Sequence, residues 1–449
     1  MISAVNRLRP LSGSKKWNLP AGRQVGDQEL GIRIGYLILR FRIYFMNKKF
    51  SVGTVFIITL FSCTNLFAQN GLAKKTTTYK VGIFAPLYLD SVFHNNTFRY
   101  RQSIPRFIMP ALDFVQGAQI ALDSLQAGDD YIDATIYDTK SYTEPVPELI
   151  RNKKLDSLHL IIGSVKDAEY LQLAGFALQK NIPFISATYP NDGGITGNPF
   201  LIMLNATLKT HCEAIYSYIL QNHGTDKIYL CRQNGKQEDM VASYFKKKNE
   251  QDGKPLLNIQ TLNFENNLTA AFLKTKLDSN RHSIIIGASL DETFAGNITK
   301  ACFDLYKTYN LTLIGMPTWD GFASLNKKNT FTDFPIYYTT AYFNDKEDDF
   351  SKMLTAAYHK KYKGKPGDMV FKGFESVYLF TKLLARDPDN FMNVINDSTR
   401  KVFCAYNFRP VRLNKEILPA GQAGVTPDYF ENKHLYFIKI LNGSVSRAW

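Results

Sequence analysis

Hydroxyl side chains follow predicted strands in the first half of the chain. Ser164 comes after a predicted strand over 159–162 and precedes a predicted helix over 167–179. The N–H groups and positive dipole end of such a helix can receive a carboxylate, and the Ser164 hydroxyl adds a donor. In the alternative interpretation, Ser164 only caps the helix.

A second group of small residues ends the next predicted strand, over 183–186, and consists of Ser186, Ala187 and Thr188. Parallel strands have their carboxyl ends at one edge of the sheet, where open sheets bind ligands. We therefore expect these hydroxyls to line the same cleft as Ser164. The alternative is an ordinary turn at a strand end.

In the second half of the chain, Ser289 follows a predicted strand over 283–286, and Trp319 and Asp320 lie on a later loop. Ser289 repeats the pattern with less specificity, because small residues are normal after any parallel strand. A carboxylate beside a large aromatic ring suits an ammonium group or a stacked ring. The alternative is a buried Trp319 next to a solvated Asp320.

The sequence lacks motifs for phosphate binding, hydrolysis or metal binding. There is no glycine-rich phosphate loop, and the segment 287–291 has only the first half of the glycine pattern of a hydrolase nucleophile. The seven His are scattered, and no His or Cys pair has metal-site spacing. We expect no catalytic residue, no cofactor and no metal, so a binding function is favoured over an enzyme.

The excess of positive charge is concentrated at the beginning of the chain. The first 68 residues hold ten Lys or Arg against two acidic residues, out of a net charge of +14. The remaining basic residues are dispersed, so the sequence does not predict a nucleic-acid partner.

Residues 46–68 have the layout of a secretory signal, with two Lys, an apolar run over 52–61 and small residues up to Ala68. A signal works only at the N-terminus, so we predict that translation starts at Met46 and that residues 1–45 are a mis-annotated upstream extension. The predicted location is periplasmic. The alternative is a protein anchored to lipid through Cys63.

Four cysteines follow the predicted signal, each beside apolar or aromatic residues: Cys212, Cys231, Cys302 and Cys404. Buried thiols are the simplest expectation. One disulfide stays open as an alternative, because an even number of cysteines enters an oxidising compartment.

Strands and helices alternate from Tyr79 to Ile314, which predicts an α/β protein with parallel strands covered on both faces. One sheet with so many strands would be unusually wide, so we predict two doubly wound parallel-sheet lobes. Antiparallel strands over 402–408 and 434–441 are predicted to close the chain. The predicted lobes comprise 79–205 plus 343–400 for lobe 1 and 206–342 plus 401–449 for lobe 2.

An ordered set of segments resembles the type I periplasmic binding proteins. That family includes the branched-chain amino-acid binding proteins of ABC importers and the ligand-binding lobes of some receptors. The likeness covers about residues 79–445, and the segments that carry it are 81–87, 117–122, 137–139, 161–164, 182–187, 315–321 and 371–377.

The resemblance implies two lobes, joined by three crossings, that close on a small polar ligand such as an amino acid. The ligand carboxylate would meet Ser164 and residues 186–188, and its ammonium an acidic side chain near Asp320. The implied partner is an ABC permease in the inner membrane. The alternative is a ligand sensor or cell-envelope binding protein of the same fold without a transport partner.

Overall fold

A computed structural model of the chain describes residues 5–7, 78–95, 97–100, 103–126, 132–251, 253–264, 269–413 and 426–448. The predicted secretory signal, the predicted start at Met46 and Cys63 lie outside these residues.

The first sheet contains strands from both ends of the described chain. Its central strands β5, β2, β6, β7, β8 and β15 are parallel, while β1 and β14 pair antiparallel at the two edges. In spatial order the strands are β1 (Val5–Arg7), β5 (Ile132–Asp138), β2 (Tyr79–Ala85), β6 (Leu160–Gly163), β7 (Phe184–Ser186), β8 (Leu201–Met203), β15 (Tyr429–Asn432) and β14 (Phe408–Val411).

The second sheet repeats this arrangement. Five parallel strands are followed by two antiparallel ones. In spatial order they are β10 (Ile259–Phe264), β9 (Lys227–Gln233), β11 (Ser283–Gly287), β12 (Leu311–Ile314), β13 (Ile336–Thr340), β16 (Tyr436–Leu441) and β17 (Ser444–Arg447). In the first sheet β2 lies between β5 and β6, and in the second β9 lies between β10 and β11. Each arrangement creates a switch point in strand order, where open parallel sheets bind ligands.

Helices cover the strands of both sheets. Those of the first lobe are α1 (Leu89–Val92), α2 (Met109–Gln126), α3 (Val146–Arg151), α4 (Asp167–Lys180), α9 (Asp349–Tyr362), α10 (Asp368–Arg386) and α11 (Phe391–Val394). Those of the second lobe are α5 (Leu208–Asn222), α6 (Lys236–Asn249), α7 (Ala270–Lys274) and α8 (Glu292–Leu305). A short hairpin, β3 (Phe93–His94) and β4 (Thr97–Phe98), and the 3-10 turns Arg106–Ile108, Pro317–Gly321 and Ser398–Arg400 complete the elements.

The strand β6 shows why the central strands are apolar throughout. Leu160 and Ile162 face a core that includes α2 and α10, whereas Ile161 faces the opposite core with α3 and α4. Successive side chains of a strand point to opposite faces, so a strand covered on both sides has no polar face.

Helices α2 and α10 approach each other closely through two glycines. A Cβ on Gly117 would lie 1.9 Å from the carbonyl oxygen of Val370, and one on Gly373 would lie 2.0 Å from that of Phe114. No larger residue fits at either position without moving the helix backbones. This contact fixes α10, whose side chains reach the region between the lobes.

The chain passes between the lobes at 204–207, at 341–348 and at 433–435, since β8, β13 and β15 end immediately before these segments. The lobe boundary predicted at residue 400 is not where the chain returns. Both β14 and β15 belong to the first sheet, where Phe430 pairs with Ile202 of β8. The sequence analysis missed this because long-range strand pairing leaves no local signal.

Buried polar side chains tie the first crossing to the third. The Glu431 carboxylate, 1% exposed, accepts hydrogen bonds from the hydroxyls of Thr207 at 2.9 Å and Thr210 at 2.7 Å. It also pairs with Lys433 at 2.5 Å. A buried carboxylate needs such partners, so these contacts hold the two segments in register.

All four described cysteines are buried and free, so the disulfide left open by the sequence is not formed among them. In the described part of the chain, no helix has both the length and the apolar character required to cross a bilayer.

Candidate functional site

Ser164 lies at the carboxyl end of β6 and does not cap the following helix. Its Oγ is 3.2 Å from Oγ1 of Thr188, and its backbone N–H donates to the carbonyl of Phe84 at 2.9 Å. Helix α4 has Lys166 at its N-cap without a side-chain cap bond. The hydroxyl of Ser164 is therefore not used by a helix cap, although the residue is only 8% exposed.

The first turn of α4 is less suited to an anion than the sequence indicated. It carries two carboxylates of its own, Asp167 and Glu169, and Glu169 pairs with Lys140 at 2.5 Å. Acidic side chains already interact favourably with the positive end of a helix. A ligand carboxylate at this end of the sheet thus depends more on hydroxyl groups than on the helix terminus.

The three residues predicted at the end of β7, which begin with its last residue Ser186, have different environments. Ser186 is fully buried, and its Oγ has no hydrogen-bond partner among the described residues. The Ala187 N–H donates to Gly163 at 2.9 Å, which keeps the two strand ends together. Thr188 accepts a 2.6 Å bond at its carbonyl from Asn205 of the first crossing. Ser164 and Thr188 are thereby linked to the crossing segment.

A small cavity of about 10 Å³, which is room for about one water molecule, lies at the point where the crossings meet the first lobe. Its lining combines the end of β7, two crossings, α10 and the loop after α11. The lining residues are Ala187, Leu204, Asn205, Ala341, Tyr342, Lys372, Ser376 and Tyr406. Only Ala187 belongs to the set of site residues predicted from the sequence.

Lys372 and Tyr342 form the polar wall of this cavity. The Lys372 ammonium lies 4.7 Å from the centre of the Tyr342 ring, close enough for a cation–π interaction. Burial lowers the pKa of Lys372, although neighbouring acidic groups, among them Asp368 and Asp320, oppose the shift. Burial also raises the pKa of the Tyr342 hydroxyl. This hydroxyl is buried and has no hydrogen-bond partner of normal geometry among the described residues, although Asn344 is close.

Glu375, fully buried on α10, organises the wall behind Lys372. One oxygen accepts the backbone N–H groups of Phe403 at 2.9 Å and Cys404 at 2.7 Å, and the other accepts the Tyr406 hydroxyl at 3.0 Å. Burial raises the pKa of this carboxyl group. These bonds replace the strand predicted over 402–408, of which only Phe408 enters a sheet.

In the second lobe, Ser289 and Trp319 are fully buried and cannot contact a ligand in the cleft. The Ser289 hydroxyl donates to Glu238 at 2.6 Å, and its carbonyl accepts the Trp319 indole N–H at 3.0 Å. The indole ring packs on Gly315 and Gly287, where added Cβ atoms would lie 2.1 and 2.5 Å from it. The expected stacking role of Trp319 is wrong, because the ring fills the core of the lobe.

Asp320 is exposed, in contrast to the tryptophan before it. Its Oδ1 accepts a 2.6 Å hydrogen bond from the hydroxyl of Tyr338 on β13. Tyr338 is itself 1% exposed, and burial is the main cause that raises its pKa. The carboxylate is thus held at the carboxyl edge of the second sheet, where the ammonium role was predicted.

The sequence analysis missed the residues that line the cavity from the crossings and from α10. Lys372 and Glu375 lie inside the segment 371–377, whose other members are mostly apolar and buried. Charged residues on the buried face of an amphipathic helix were the available signal, because such groups are rarely buried without a role. Asn205 and Tyr342 carried no comparable signal.

Two doubly wound lobes, connected by three crossings beside a cavity, define a binding protein of the type I periplasmic class. A profile of the family described as periplasmic binding protein matches residues 109–399, more than half of the chain. The chain belongs to the periplasmic binding protein family, whose members are substrate-binding proteins and not enzymes. The family and fold predicted from the sequence are confirmed.

Solved structures agree with this fold. A protein from Rhodospirillum rubrum, assigned to the branched-chain amino acid ABC transporters, superposes with a TM-score of 0.59 at 13% identity, covering 83% of this chain and 100% of that one. A branched-chain amino acid ABC transporter periplasmic ligand-binding protein from Burkholderia xenovorans gives a TM-score of 0.52 at 12% identity, with 83% and 95% covered. A search among curated proteins finds no match.

Proposed function

We propose that this chain is a secreted solute-binding protein whose two lobes close on a small polar ligand with a carboxylate, most simply an amino acid or a similar molecule, for an ABC importer. The observation that carries the proposal is the cavity at the crossings, lined by Asn205, Tyr342 and Lys372. Ligands that contact crossing segments can favour one arrangement of two lobes over another.

The donors at this site suit a carboxylate. Lys372 offers a positive charge in the cavity wall, and Ser164 and Thr188 offer hydroxyls 3.2 Å apart at the strand ends, where the Thr188 carbonyl is bonded to the lining residue Asn205. Burial of a carboxylate is favourable only when such groups meet it. The proteins from Rhodospirillum rubrum and Burkholderia xenovorans, which carry branched-chain amino acid assignments, support amino acids as the first ligands to test.

A thermal-shift screen of amino acids and small carboxylates, followed by calorimetry, tests binding. A true ligand should raise the unfolding midpoint, because it binds the native state alone. The double variant Ser164→Ala/Thr188→Val should lose most of the shift, while Thr143→Val, on a loop away from the cavity, should keep it. If no compound in either class changes the midpoint, the proposed binding function is wrong.

Export and transport need separate measurements. N-terminal sequencing of the protein from its native host should give a start at Gln69, whereas an acylated Cys63 would favour the lipid-anchored alternative. Deleting the gene should reduce uptake of the identified ligand. Normal uptake despite intact binding would support the sensor alternative over the importer.

A further inference from the structure

The cationic side chain in the cavity has no anionic partner of its own. Lys372 lies half-buried on α10, and its ammonium contacts the ring face of Tyr342 at 4.7 Å. The ammonium makes no hydrogen bond or ion pair with the described residues, although the backbone carbonyl of Lys372 accepts the Ser376 hydroxyl at 2.6 Å. A lysine in this position retains the capacity to bind an anion that enters the cavity.

The nearby carboxylates are each occupied by another group. Asp368 pairs with Lys346 at 2.8 Å, and Asp320 accepts the Tyr338 hydroxyl at 2.6 Å. Glu375 is used by two backbone N–H groups and by Tyr406. These carboxylates interact electrostatically with the Lys372 ammonium but form no ion pair with it.

A bound amino acid would bring a second cation into this confined space. Its ammonium would need Asp320, yet Asp320 also acts electrostatically on Lys372, so the two cations would compete for one carboxylate. Like charges brought together in a partly desolvated site disfavour binding. A carboxylate without an ammonium group meets only Lys372 and the hydroxyl donors.

We infer that the ligand of this site is a small carboxylate without an ammonium group, with Lys372 as its counter-ion and the hydroxyls of Ser164 and Thr188 as hydrogen-bond donors. This inference rests on the proposed binding function and names its ligand class. The Tyr342 ring and hydroxyl complete the surface next to the carboxylate.

Matched ligand pairs test the inference on the unaltered protein by calorimetry at neutral pH. The pairs are leucine with isocaproate, valine with isovalerate and phenylalanine with hydrocinnamate, which differ only by the amino group. In a pair that binds, we expect the acid to bind at least about tenfold more tightly than the amino acid. Equal or tighter binding of the amino acid would overturn the inference and leave the binding function intact. No binding in any pair would overturn both.

Charge variants provide the second arm. Lys372→Met should weaken binding of the preferred acid by about tenfold or more, and Lys372→Arg should weaken it less because the charge is kept. Lys360→Met removes an exposed charge from α9 and serves as the matched control. Unchanged acid binding in a folded Lys372→Met protein would show that Lys372 is not the counter-ion.

A separate cluster lies at the amino-terminal edge of the second sheet, at the opposite strand ends from the cleft. Nδ1 of His223 and Nδ1 of His282 lie 2.8 and 2.6 Å from the same oxygen of Asp226. The three ligand atoms lie within 4.8 Å of one another, and the side chains are half-buried. Imidazole nitrogens with one carboxylate form a ligand set typical of zinc.

The outer ring nitrogens of both histidines already have partners. Nε2 of His223 is 3.3 Å from the Tyr218 hydroxyl, and Nε2 of His282 is 3.0 Å from the Thr312 hydroxyl. Such contacts orient metal-binding imidazoles, and zinc would replace the protons that now join each Nδ1 to Asp226. The Arg281 side chain, which donates to the Thr225 carbonyl at 2.9 Å, is the nearby positive charge that the ion must tolerate.

We propose that His223, Asp226 and His282 bind one divalent zinc ion. Calorimetry of chelator-treated protein with zinc chloride should show one site, and zinc should raise the unfolding midpoint until chelator is added again. His223→Gln and His282→Gln should each lower zinc affinity by about tenfold or more, whereas His359→Gln, exposed on α9, should not. Absence of binding, or binding that both variants retain, would overturn the proposal.

Discussion

The two lobes carry nearly the same sequence at equivalent strand ends, but the serine that follows each strand has a different environment. Ser164 follows Ile-Ile-Gly at the end of β6, and Ser289 follows Ile-Ile-Gly-Ala around the end of β11. Each of these strands lies next to the switch-point strand of its sheet, β2 or β9. In the first lobe, among the described residues, the Ser164 hydroxyl makes its side-chain contact with Thr188. In the second it is fully buried against Glu238.

The aromatic ring beside each glycine explains the difference. Near Gly163 the ring belongs to Phe184, which lies within the neighbouring strand and packs on one face of the sheet. Near Gly287 the ring is that of Trp319, which comes from the loop after β12 and covers the strand end. A strand end therefore remains a binding edge only if no loop folds over it.

Removing the Trp319 ring, which covers the end of β11, should have the largest effect on stability. Trp319→Ala should lower the free energy of unfolding by about 3–5 kcal/mol, because it leaves a cavity over two glycines and removes the indole bond to the Ser289 carbonyl. Urea denaturation measures the change, with Phe107→Ala, which removes an exposed aromatic ring, as the control. An unaltered midpoint together with lost ligand affinity would show that Trp319 is a ligand contact after all.

The buried His211 should make the second lobe sensitive to acid. Burial lowers the pKa of His211 to about 3, and its Nδ1 is 2.8 Å from the hydroxyl of Thr339. Below its ordinary pKa of 6.5, the unfolded state gains a proton that the native state does not bind. Stability should therefore fall as the pH falls from about 6.5 towards 3, since the unfolded state binds more protons.

Denaturation at two pH values measures this effect. Between neutral pH and about pH 5, His211 should cost the wild type about 2 kcal/mol, at 1.36 kcal/mol per pKa unit. His211→Asn should remove that part of the pH dependence, whereas His359→Asn, which alters an exposed histidine, should not. The same slope in wild type and His211→Asn would contradict the assignment.

The two serines should separate stability from binding. Ser289→Ala should lower the free energy of unfolding by about 1–2 kcal/mol, because Glu238 loses a buried donor, and should leave ligand affinity unchanged. Ser164→Ala should instead weaken ligand binding by about 1–2 kcal/mol with little change in unfolding. Measuring both quantities for both variants checks the contrast, and exchanged results would reverse our assignment of the two strand ends.

The smallest effect is expected at Asp320. Asp320→Asn should change the free energy of unfolding by less than about 0.5 kcal/mol, because the residue is exposed and an amide oxygen can still accept the Tyr338 hydroxyl. Calorimetry with the leucine and isocaproate pair then tests the role implied by the family. A selective loss of leucine affinity would support an ammonium contact at Asp320.

Much of the fold could be predicted from local pattern. The uninterrupted apolar run of β6 indicates a strand covered on both faces, and the repeated alternation of strands and helices indicates parallel sheets. Asp291 caps the N-terminus of α8, and its side chain accepts the Phe294 N–H at 2.7 Å, a capping pattern that is visible in the sequence. These features depend on residues that are close in sequence. They can therefore be recognised without knowing which distant segments pack against them.

The candidate site depended on contacts that are remote in sequence. Asn205, Tyr342 and Lys372 meet at one cavity although well over a hundred residues separate the first from the others. Likewise, Glu375 takes the hydrogen bonds that a strand at 402–408 would have used. No local pattern indicates which distant groups will satisfy a buried carboxylate.

The sequence by itself determined the alternating elements, the family resemblance and the hydroxyl residues at strand ends, because side-chain periodicity and strand-end chemistry are local properties. Only the tertiary structure decided that Ser164 stays at an open edge while Ser289 is covered by Trp319. It also decided that β15 pairs with β8, which keeps the chain in the first lobe up to the third crossing. Both outcomes depend on packing between distant segments, whose free energy is gained only when the whole fold forms.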